Sequence, residues 1–273
     1  MTVPITLFSV IIENMLEKNE KFLYFDTHFH LADCVYDGII KDSFPSDIFA
    51  CTCCHSVEEW NLTEGFRNKF GMTVAFGLHP QSAGHINVDE NAAFLEQLLQ
   101  QNKLNAIGEA GFDYFNEEFK SNATIQEKMF NLQLELAQQY KIPMVVHCRK
   151  ANEKLFEYSR ELKKIPAVLF HSFMGMPNEA KSLLDRGING YFSFGKQVMN
   201  NNKKVIACVR ELPESVLLTE TDAPWQFLKG EKCTTPADIK KIFEAFCQIR
   251  QTEPEKLSQT LKINFFNLFS PKL

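Results

Sequence analysis

The sequence lacks an excess of positive charge. Its 273 residues include 29 lysines and arginines against 34 aspartates and glutamates, for a formal net charge of −5. Proteins that coat nucleic acid carry a broad basic surface, so this composition argues against that class. If the protein acts on a polyanion, the positive charge must be local, and bound metal ions are one source of it.

Long apolar segments, low-complexity stretches and glycine/serine-rich linkers are also missing. The apolar stretch at residues 5–12 is too short to cross a bilayer, and the absence of a basic residue before Lys18 makes it a poor signal peptide. The eight cysteines are scattered along the chain, which is typical of a reduced protein rather than a disulfide scaffold. We therefore expect a cytoplasmic protein with no membrane segment.

Short apolar runs alternate with amphipathic stretches along the chain. Runs rich in β-branched and aromatic residues predict eight strands, at residues 22–29, 48–53, 72–78, 104–107, 143–147, 167–171, 190–194 and 216–219. Apolar residues at three- and four-residue spacing predict helices at residues 57–70, 89–101, 126–140, 152–162, 178–185, 203–211, 236–250 and 254–269. This alternation, with nothing left for a second core, predicts an α/β fold: a single-domain (β/α)₈ TIM barrel over residues 21–273, closed by C-terminal helices.

The alternative is an open, doubly wound sheet. That fold would normally show a glycine-rich turn after the first strand, where this chain has Asp26-Thr-His-Phe-His30 instead. Residues 1–20 precede the first strand, and we interpret them as an extra helix packed on the barrel. A protein partner that binds through residues 1–20 is an alternative with no support in the sequence.

Histidines and carboxylates stand where the predicted strands end, which is where barrel active sites lie. Five of the seven histidines do so, together with three carboxylates: His28, His30, His79, His147 and His171, with Asp26, Glu109 and Asp222. Alternate residues of a strand point the same way, so Asp26, His28 and His30 share one side. Burying so many ionisable groups unpaired is very unfavourable, and metal ligation resolves the problem. Imidazole and carboxylate ligands suit zinc, manganese, iron or magnesium.

The strand-end motifs resemble those of the TatD family of metal-dependent deoxyribonucleases, which are amidohydrolase-like barrels. Six motifs stand in the family's order: Asp26–His30, Gly77–Pro80, Gly108–Tyr114, Val145–Arg149, Phe170–Gly175 and Glu220–Pro224. The resemblance leaves out residues 1–20 and Cys51–His55. It also weakens after Trp225, where Gln226–Gly230 replaces a segment that is often basic in the family.

The resemblance implies two divalent metal ions, Mg²⁺, Mn²⁺ or Zn²⁺. His28, His30, Glu109 and Asp222 would hold one ion, and Glu109, His147 and His171 would hold the other, with Glu109 bridging. Asp26 would be a ligand or, as we prefer, would orient a ligating histidine without binding the metal itself. Two metal ions would activate a shared water as hydroxide, which attacks phosphorus, and we expect Asp222 to accept the proton of that water.

Other residues at the strand ends are candidates for substrate contacts. Arg149 matches phosphate geometry; a surface ion pair is the alternative, and the family resemblance favours phosphate. His79 would contact substrate or cap a turn, Tyr114 and Trp225 would line the cleft, and Asp113 would orient a ligand or the substrate. The segment Cys51–His55 lacks the spacing of a zinc site, so we interpret it as an ordinary cysteine-rich strand and loop.

By this resemblance the protein is a metal-dependent hydrolase that cleaves phosphodiester bonds of DNA, as a 3′–5′ exodeoxyribonuclease on single-stranded ends. One alternative is a two-metal hydrolase of another ester, an amide or a lactone, because fold and metal ligands do not determine the substrate. Another is a metal-bearing subunit of a nucleic-acid-processing assembly. The sequence leaves the choice of metal, and of DNA or RNA, open.

Overall fold

A barrel of eight parallel strands forms the centre of the molecule. The structure is a computed structural model that describes residues 23–270, so the predicted extension at residues 1–20 lies outside the described residues. The strands are β1 Tyr24–Phe29, β2 Ile48–Cys54, β3 Thr73–Phe76, β4 Ala106–Asp113, β5 Met144–Arg149, β6 Val168–Phe170, β7 Gly190–Phe194 and β8 Leu217–Thr219. Each pairs in parallel with the next in the order β1 to β8. The predicted (β/α)₈ barrel is confirmed.

Threonine hydroxyls join the last strand to the first. The Thr27 hydroxyl donates to the Thr219 carbonyl at 2.9 Å, and the Thr219 hydroxyl donates to the Phe25 carbonyl at 2.5 Å. Just beyond this seam, the backbone N–H of Asp222 donates to the His28 carbonyl at 2.9 Å. These bonds hold the end of β8 beside the end of β1, which places Asp222 next to His28.

Helices cover the outside of the barrel. They span Leu31–Tyr36, Val57–Phe70, Val88–Gln100, Glu117–Ser121, Ala123–Tyr140, Asn152–Glu157, Ser159–Leu162, Pro177–Asp185, Lys203–Glu211, Ile239–Arg250 and Pro254–Phe269, with 3₁₀ turns at Pro80–Ser82, Lys196–Val198, Glu214–Val216 and Pro236–Asp238. Within residues 23–270, no helix combines the length and the apolar character needed to cross a membrane.

The predicted elements differ from the observed ones in a few places. The helix predicted at residues 152–162 is two short helices that meet at Tyr158, and the helices Leu31–Tyr36 and Glu117–Ser121 were not predicted. Strand β4 continues to Asp113, six residues past the predicted end at Ile107. The apolar pattern stops early there because β4 continues with glycines and the acidic residues Glu109 and Asp113, which face the candidate site.

Phenylalanines fill the layer between the strands and the helices. Phe25 packs against Phe49 and against Phe265 of the last helix, with ring centroids 5.4 and 5.5 Å apart. Phe112 of β4 packs against Phe130 of the helix Ala123–Tyr140, with ring centroids 4.8 Å apart. All these rings are buried. Close packing of this apolar layer fixes the strands, and so fixes the positions of the side chains at their carboxyl ends.

Candidate metal centre

Glu109 lies at the centre of a ring of histidines at the carboxyl ends of the strands. Its Oε1 atom is 3.4 Å from His28 Nε2, 3.6 Å from His30 Nε2 and 3.2 Å from His55 Nε2. Its Oε2 atom is 2.6 Å from His171 Nε2 and 3.4 Å from His147 Nδ1. The two oxygens of this buried carboxylate therefore face two different groups of imidazole nitrogens.

Asp222 adds a second carboxylate beside His28 and His30. Its Oδ1 atom is 3.2 Å from His30 Nε2 and 3.4 Å from His28 Nε2. The other oxygen, Oδ2, accepts a hydrogen bond from the Gln226 side chain at 2.5 Å. Asp222 has a left-handed backbone conformation, with φ at 53°, which is unfavourable for a non-glycine residue and typical of functional sites.

The donor atoms are arranged as ligands of divalent metal ions would be. Within residues 23–270, the buried atoms His28 Nε2, His55 Nε2 and Glu109 Oε1 have no hydrogen-bond partner of acceptable geometry. Buried polar atoms without a partner are rare and destabilising, and here the two imidazole nitrogens face the same carboxylate oxygen. Their distances from Glu109 Oε1, 3.4 Å for His28 and 3.2 Å for His55, match the distance of about 3.3 Å between neighbouring ligands of one metal ion. The residues fit a bound divalent metal.

Both carboxylates are ionised. Burial opposes the charge on Glu109, but the positive charge of His28 outweighs it and holds the pKa of Glu109 well below its ordinary value. Burial likewise opposes the charge on Asp222, but the imidazoles of His28 and His30 beside it keep its pKa low. By contrast, burial lowers the pKa of His171 to about 4, so its ring is neutral and has a lone pair to offer.

Asp113 holds His147 in place. Its Oδ2 atom accepts a hydrogen bond from His147 Nε2 at 3.1 Å and another from Gln81 at 2.8 Å. With its proton on Nε2, His147 presents the Nδ1 lone pair to Glu109. The approach of β4 to β5 requires glycine at position 111, because a Cβ there would lie 1.9 Å from the His147 carbonyl oxygen.

Asp26 contacts the backbone that leads to Asp222 rather than a histidine ring. Its carboxylate accepts hydrogen bonds from the Thr221 N–H at 2.8 Å and from the Thr221 hydroxyl at 2.6 Å. The sequence predicted that Asp26 orients a ligating imidazole. The structure differs because the seam between β8 and β1 brings Thr221, and not an imidazole N–H, to this carboxylate.

His79 caps a turn, which is one of the two roles that the sequence left open. Its Nδ1 atom accepts a hydrogen bond from the Gln81 N–H at 3.2 Å and so caps the turn Pro80–Ser82. Its Nε2 atom faces Glu109 Oε2 at 3.8 Å. Because Nδ1 is an acceptor, the neutral ring carries its proton on Nε2, and this N–H points into the site.

His55 and Cys53 also lie at the site, although the sequence did not predict them there. These residues alternate along the end of β2 and face inward, where Cys53 Sγ lies 3.2 Å from His28 Nδ1. Cys54 points the other way, to the hydroxyl of Thr63 on the outer helix. The segment is a cysteine-rich strand, as predicted, but the period of two starting from Cys53 would have placed His55 with the other histidines.

Of the predicted substrate contacts, Arg149 and Trp225 lie at the rim and Tyr114 does not. The Arg149 guanidinium is exposed and stacks on the Phe115 ring at 3.5 Å. Trp225 is 52% exposed, and its indole N–H donates to Asp33 at 3.2 Å. Tyr114 lies beside Phe112 on the helix side of β4, because Glu109 and the residues two and four positions further on occupy the inward face.

A barrel with a buried cluster of histidines and carboxylates at its carboxyl-terminal rim defines the class of metal-dependent hydrolases. The family model described as TatD related DNase matches residues 25–270, and the chain belongs to this family. The chain is 34% identical over 264 residues to an uncharacterized metal-dependent hydrolase of Mycoplasma genitalium, covering 90% of this chain and 98% of that relative. It is 31% identical over 228 residues to the protein named 3′-5′ ssDNA/RNA exonuclease TatD of Cronobacter sakazakii, covering 78% and 83%.

A solved structure supports the same fold. The TatD homolog YjjV of Escherichia coli superposes with a TM-score of 0.80 at 22% identity, covering 91% of this chain and 98% of that one. The resemblance inferred from the strand-end motifs is thus confirmed.

Proposed function

We propose that the protein is a nuclease that hydrolyses phosphodiester bonds of DNA, removing nucleotides from single-stranded 3′ ends with the help of two divalent metal ions. The observation that carries this proposal is the division of the imidazoles between the two oxygens of Glu109, with His28 and His30 near Oε1 and His147 and His171 near Oε2. A bridging carboxylate between two ions is the arrangement expected for in-line displacement at phosphorus. The relative named as an exonuclease supports the choice of substrate.

His28, His30, Asp222 and Glu109 would hold one ion, and His147, His171 and Glu109 the other. Mg²⁺, Mn²⁺ or Zn²⁺ bound there supplies Lewis acidity, which activates water and neutralises charge on the phosphodiester. Asp222 accepts the proton of the attacking water: it is ionised, Gln226 fixes its Oδ2, and its Oδ1 faces the imidazoles. His79 donates its Nε2–H to a substrate oxygen, because its other nitrogen is engaged by the Gln81 N–H.

A basic cleft on the same rim offers a path for nucleic-acid phosphates. It has a volume of about 520 Å³ and lies on the loops that follow β5, β6 and β7, where it is lined by Lys150, Asn152, Glu153, Met174, Asn202, Lys203 and Lys204. The three lysines are exposed. They supply local positive charge on a protein whose net charge is −5. Such a cleft binds the backbone of a short strand without coating long duplexes.

The cysteines support a reducing location. All eight are free thiols, and five of them are buried. We place the protein in the cytoplasm on this ground, since secreted proteins of this cysteine content usually form disulfides.

The test is digestion of single-stranded DNA labelled at either end, using protein stripped of metal by EDTA and then supplied with Mg²⁺, Mn²⁺ or Zn²⁺. A 3′–5′ exonuclease shortens 5′-labelled strands stepwise and releases label from the 3′ end at once. We expect metal-dependent activity that Glu109→Gln and Asp222→Asn abolish. His85→Ala should keep full activity, because the His85 side chain is 65% exposed.

Three results would count against the proposal. Metal-loaded, folded protein that leaves DNA intact would contradict nuclease activity, and an aryl ester and a lactone assayed in parallel would then identify another hydrolase. Immediate release of 5′ label would reverse the proposed polarity. Full activity of Glu109→Gln would contradict the bridging role of that carboxylate.

A further inference from the structure

We propose that His55 is an additional metal ligand, which binds through Nε2 to the ion shared by His30 and Glu109 Oε1. This inference rests on the metal centre proposed above. The donor atoms of His30, His55 and Glu109 lie within 4.8 Å of one another. His55 adds a third imidazole to the side of Glu109 that already has His28 and His30, and so makes that side rich in nitrogen.

The backbone positions the His55 ring for this role. His55 follows β2 directly, and its Nδ1 atom lies 3.4 Å from the carbonyl oxygen of Gly77, just after β3. Donation of Nδ1–H to that carbonyl leaves Nε2 with the lone pair. The ring is thus held in the tautomer that a ligating histidine needs, by the kind of outer contact that orients metal ligands.

His55 Nε2 faces a carboxylate oxygen that accepts no hydrogen bond from the described residues. His55 Nε2 and Glu109 Oε1 are 3.2 Å apart, and both are buried without a hydrogen-bond partner within the described part of the chain. A nitrogen lone pair and a carboxylate oxygen repel each other at this distance unless a cation lies between them. His30 Nε2 lies 3.6 Å from the same oxygen, and a metal ion within reach of all three atoms satisfies them together.

A third imidazole changes which metal the centre selects. Mg²⁺ prefers oxygen ligands and retains several waters, whereas Zn²⁺ and Co²⁺ favour imidazole nitrogen. We therefore expect the ion on the Oε1 side of Glu109 to be a transition metal. Removing His55 should weaken Zn²⁺ and Co²⁺ binding and leave Mg²⁺ binding almost unchanged.

The competing explanation places a proton, not a metal, between His55 and Glu109. An imidazolium there would pair with the carboxylate and compete with the incoming ion. Removing it would then leave metal affinity unchanged or increase it, which is the opposite of what ligation predicts.

The experiment compares wild type, His55→Ala, His55→Gln and the control His85→Ala, all stripped of metal. Zn²⁺ affinity is measured by competition with a chromogenic chelator, and the visible absorption of bound Co²⁺ reports its ligands. Loss of a ligand should lower Zn²⁺ affinity by at least as much as loss of an outer contact does, about 10–100-fold, and change the Co²⁺ spectrum in both His55 variants. His85→Ala should match the wild type, and circular dichroism of the metal-free proteins identifies any variant that fails to fold.

Unchanged or tighter Zn²⁺ binding with an unchanged Co²⁺ spectrum, in whichever His55 variant folds, overturns the assignment of His55 alone. Wild type that binds neither Zn²⁺ nor Co²⁺ overturns the proposed metal centre as well. The two failures are thus distinguished by the wild-type titration, without reference to activity.

Discussion

Replacing Asp113 by asparagine should weaken metal binding without removing any ligand. The Asp113 carboxylate accepts three hydrogen bonds: from His147 and Gln81 at Oδ2, and from the Phe115 N–H at Oδ1. An amide has a single oxygen and an NH₂ group that can only donate. Whichever way the amide of the Asp113→Asn variant turns, at least one of these donors would face another donor.

The size of the effect follows from these contacts. One buried donor left unsatisfied costs about 1–3 kcal/mol of stability. If the amide oxygen takes the Oδ2 position, Phe115 N–H loses its acceptor. If it takes the other position, His147 is no longer held with its lone pair toward Glu109. Loss of such an outer contact lowers metal affinity about 10–100-fold, which corresponds to about 1.4–2.8 kcal/mol.

The assay is calorimetric titration of metal-free Asp113→Asn with Mn²⁺ and Zn²⁺, with thermal unfolding measured alongside. Asp89→Asn is the matched control, because Asp89 pairs with Lys128 on the surface and 82% of its side chain is exposed. If both the metal affinity and the unfolding temperature of Asp113→Asn equal those of the wild type, none of the three hydrogen bonds to the Asp113 carboxylate contributes as argued.

Three further predictions concern the loops around Asp222. Lys196 is buried with its Nζ 2.7 Å from Glu231 and 3.0 Å from Asp238, so Lys196→Met should lower the free energy of unfolding by about 3 kcal/mol in urea denaturation. Burial opposes the charge on Asp238, but hydrogen bonds lower its pKa to about 2, and the hydrogen bond from Lys241 has the largest effect. Its stabilising contribution, about 2 kcal/mol, is therefore complete above pH 4 and lost as the pH falls towards 2, which acid titration of metal-free protein will measure. Gln226→Leu removes the donor to Asp222 Oδ2 and should lower kcat on single-stranded DNA about 10–100-fold with little change in KM.

Each of these predictions has a result that contradicts it. Lys196→Met with wild-type stability would mean that the buried ion pair only offsets its own desolvation. An acid transition of metal-free Asp238→Asn as steep between pH 4 and 2 as that of the wild type would remove Asp238 as its cause. A normal kcat for Gln226→Leu would show that Asp222 keeps its orientation without that hydrogen bond.

Local sequence pattern was sufficient to predict the barrel. The strand Gly190–Phe194 and the helices Val57–Phe70, Lys203–Glu211 and Pro254–Phe269 have the predicted bounds, because their apolar periodicity depends only on which face is buried. The site histidines at the ends of β1, β5 and β6 could also be predicted from the sequence, since each ends an apolar run.

The features that were missed depend on how far each strand continues and on which segments lie beside it. His55 stood out in the sequence only as part of a cysteine cluster, and its place beside Glu109 follows from the pairing of β2 with its neighbours. Tyr114 was placed in the cleft because β4 was predicted to end at Ile107, so the alternation of its faces was not followed to Asp113. Asp26 looked like a partner for a histidine because the bonds across the seam to Thr221 span 195 positions of sequence.

Whether Glu109 lies between two metal ions can be measured by anomalous diffraction from crystals soaked in Mn²⁺ or Zn²⁺. We expect two anomalous peaks, one among His28, His30, Asp222 and Glu109 Oε1 and the other among His147, His171 and Glu109 Oε2. A single peak on one side of Glu109, or none at full metal loading, would contradict this expectation.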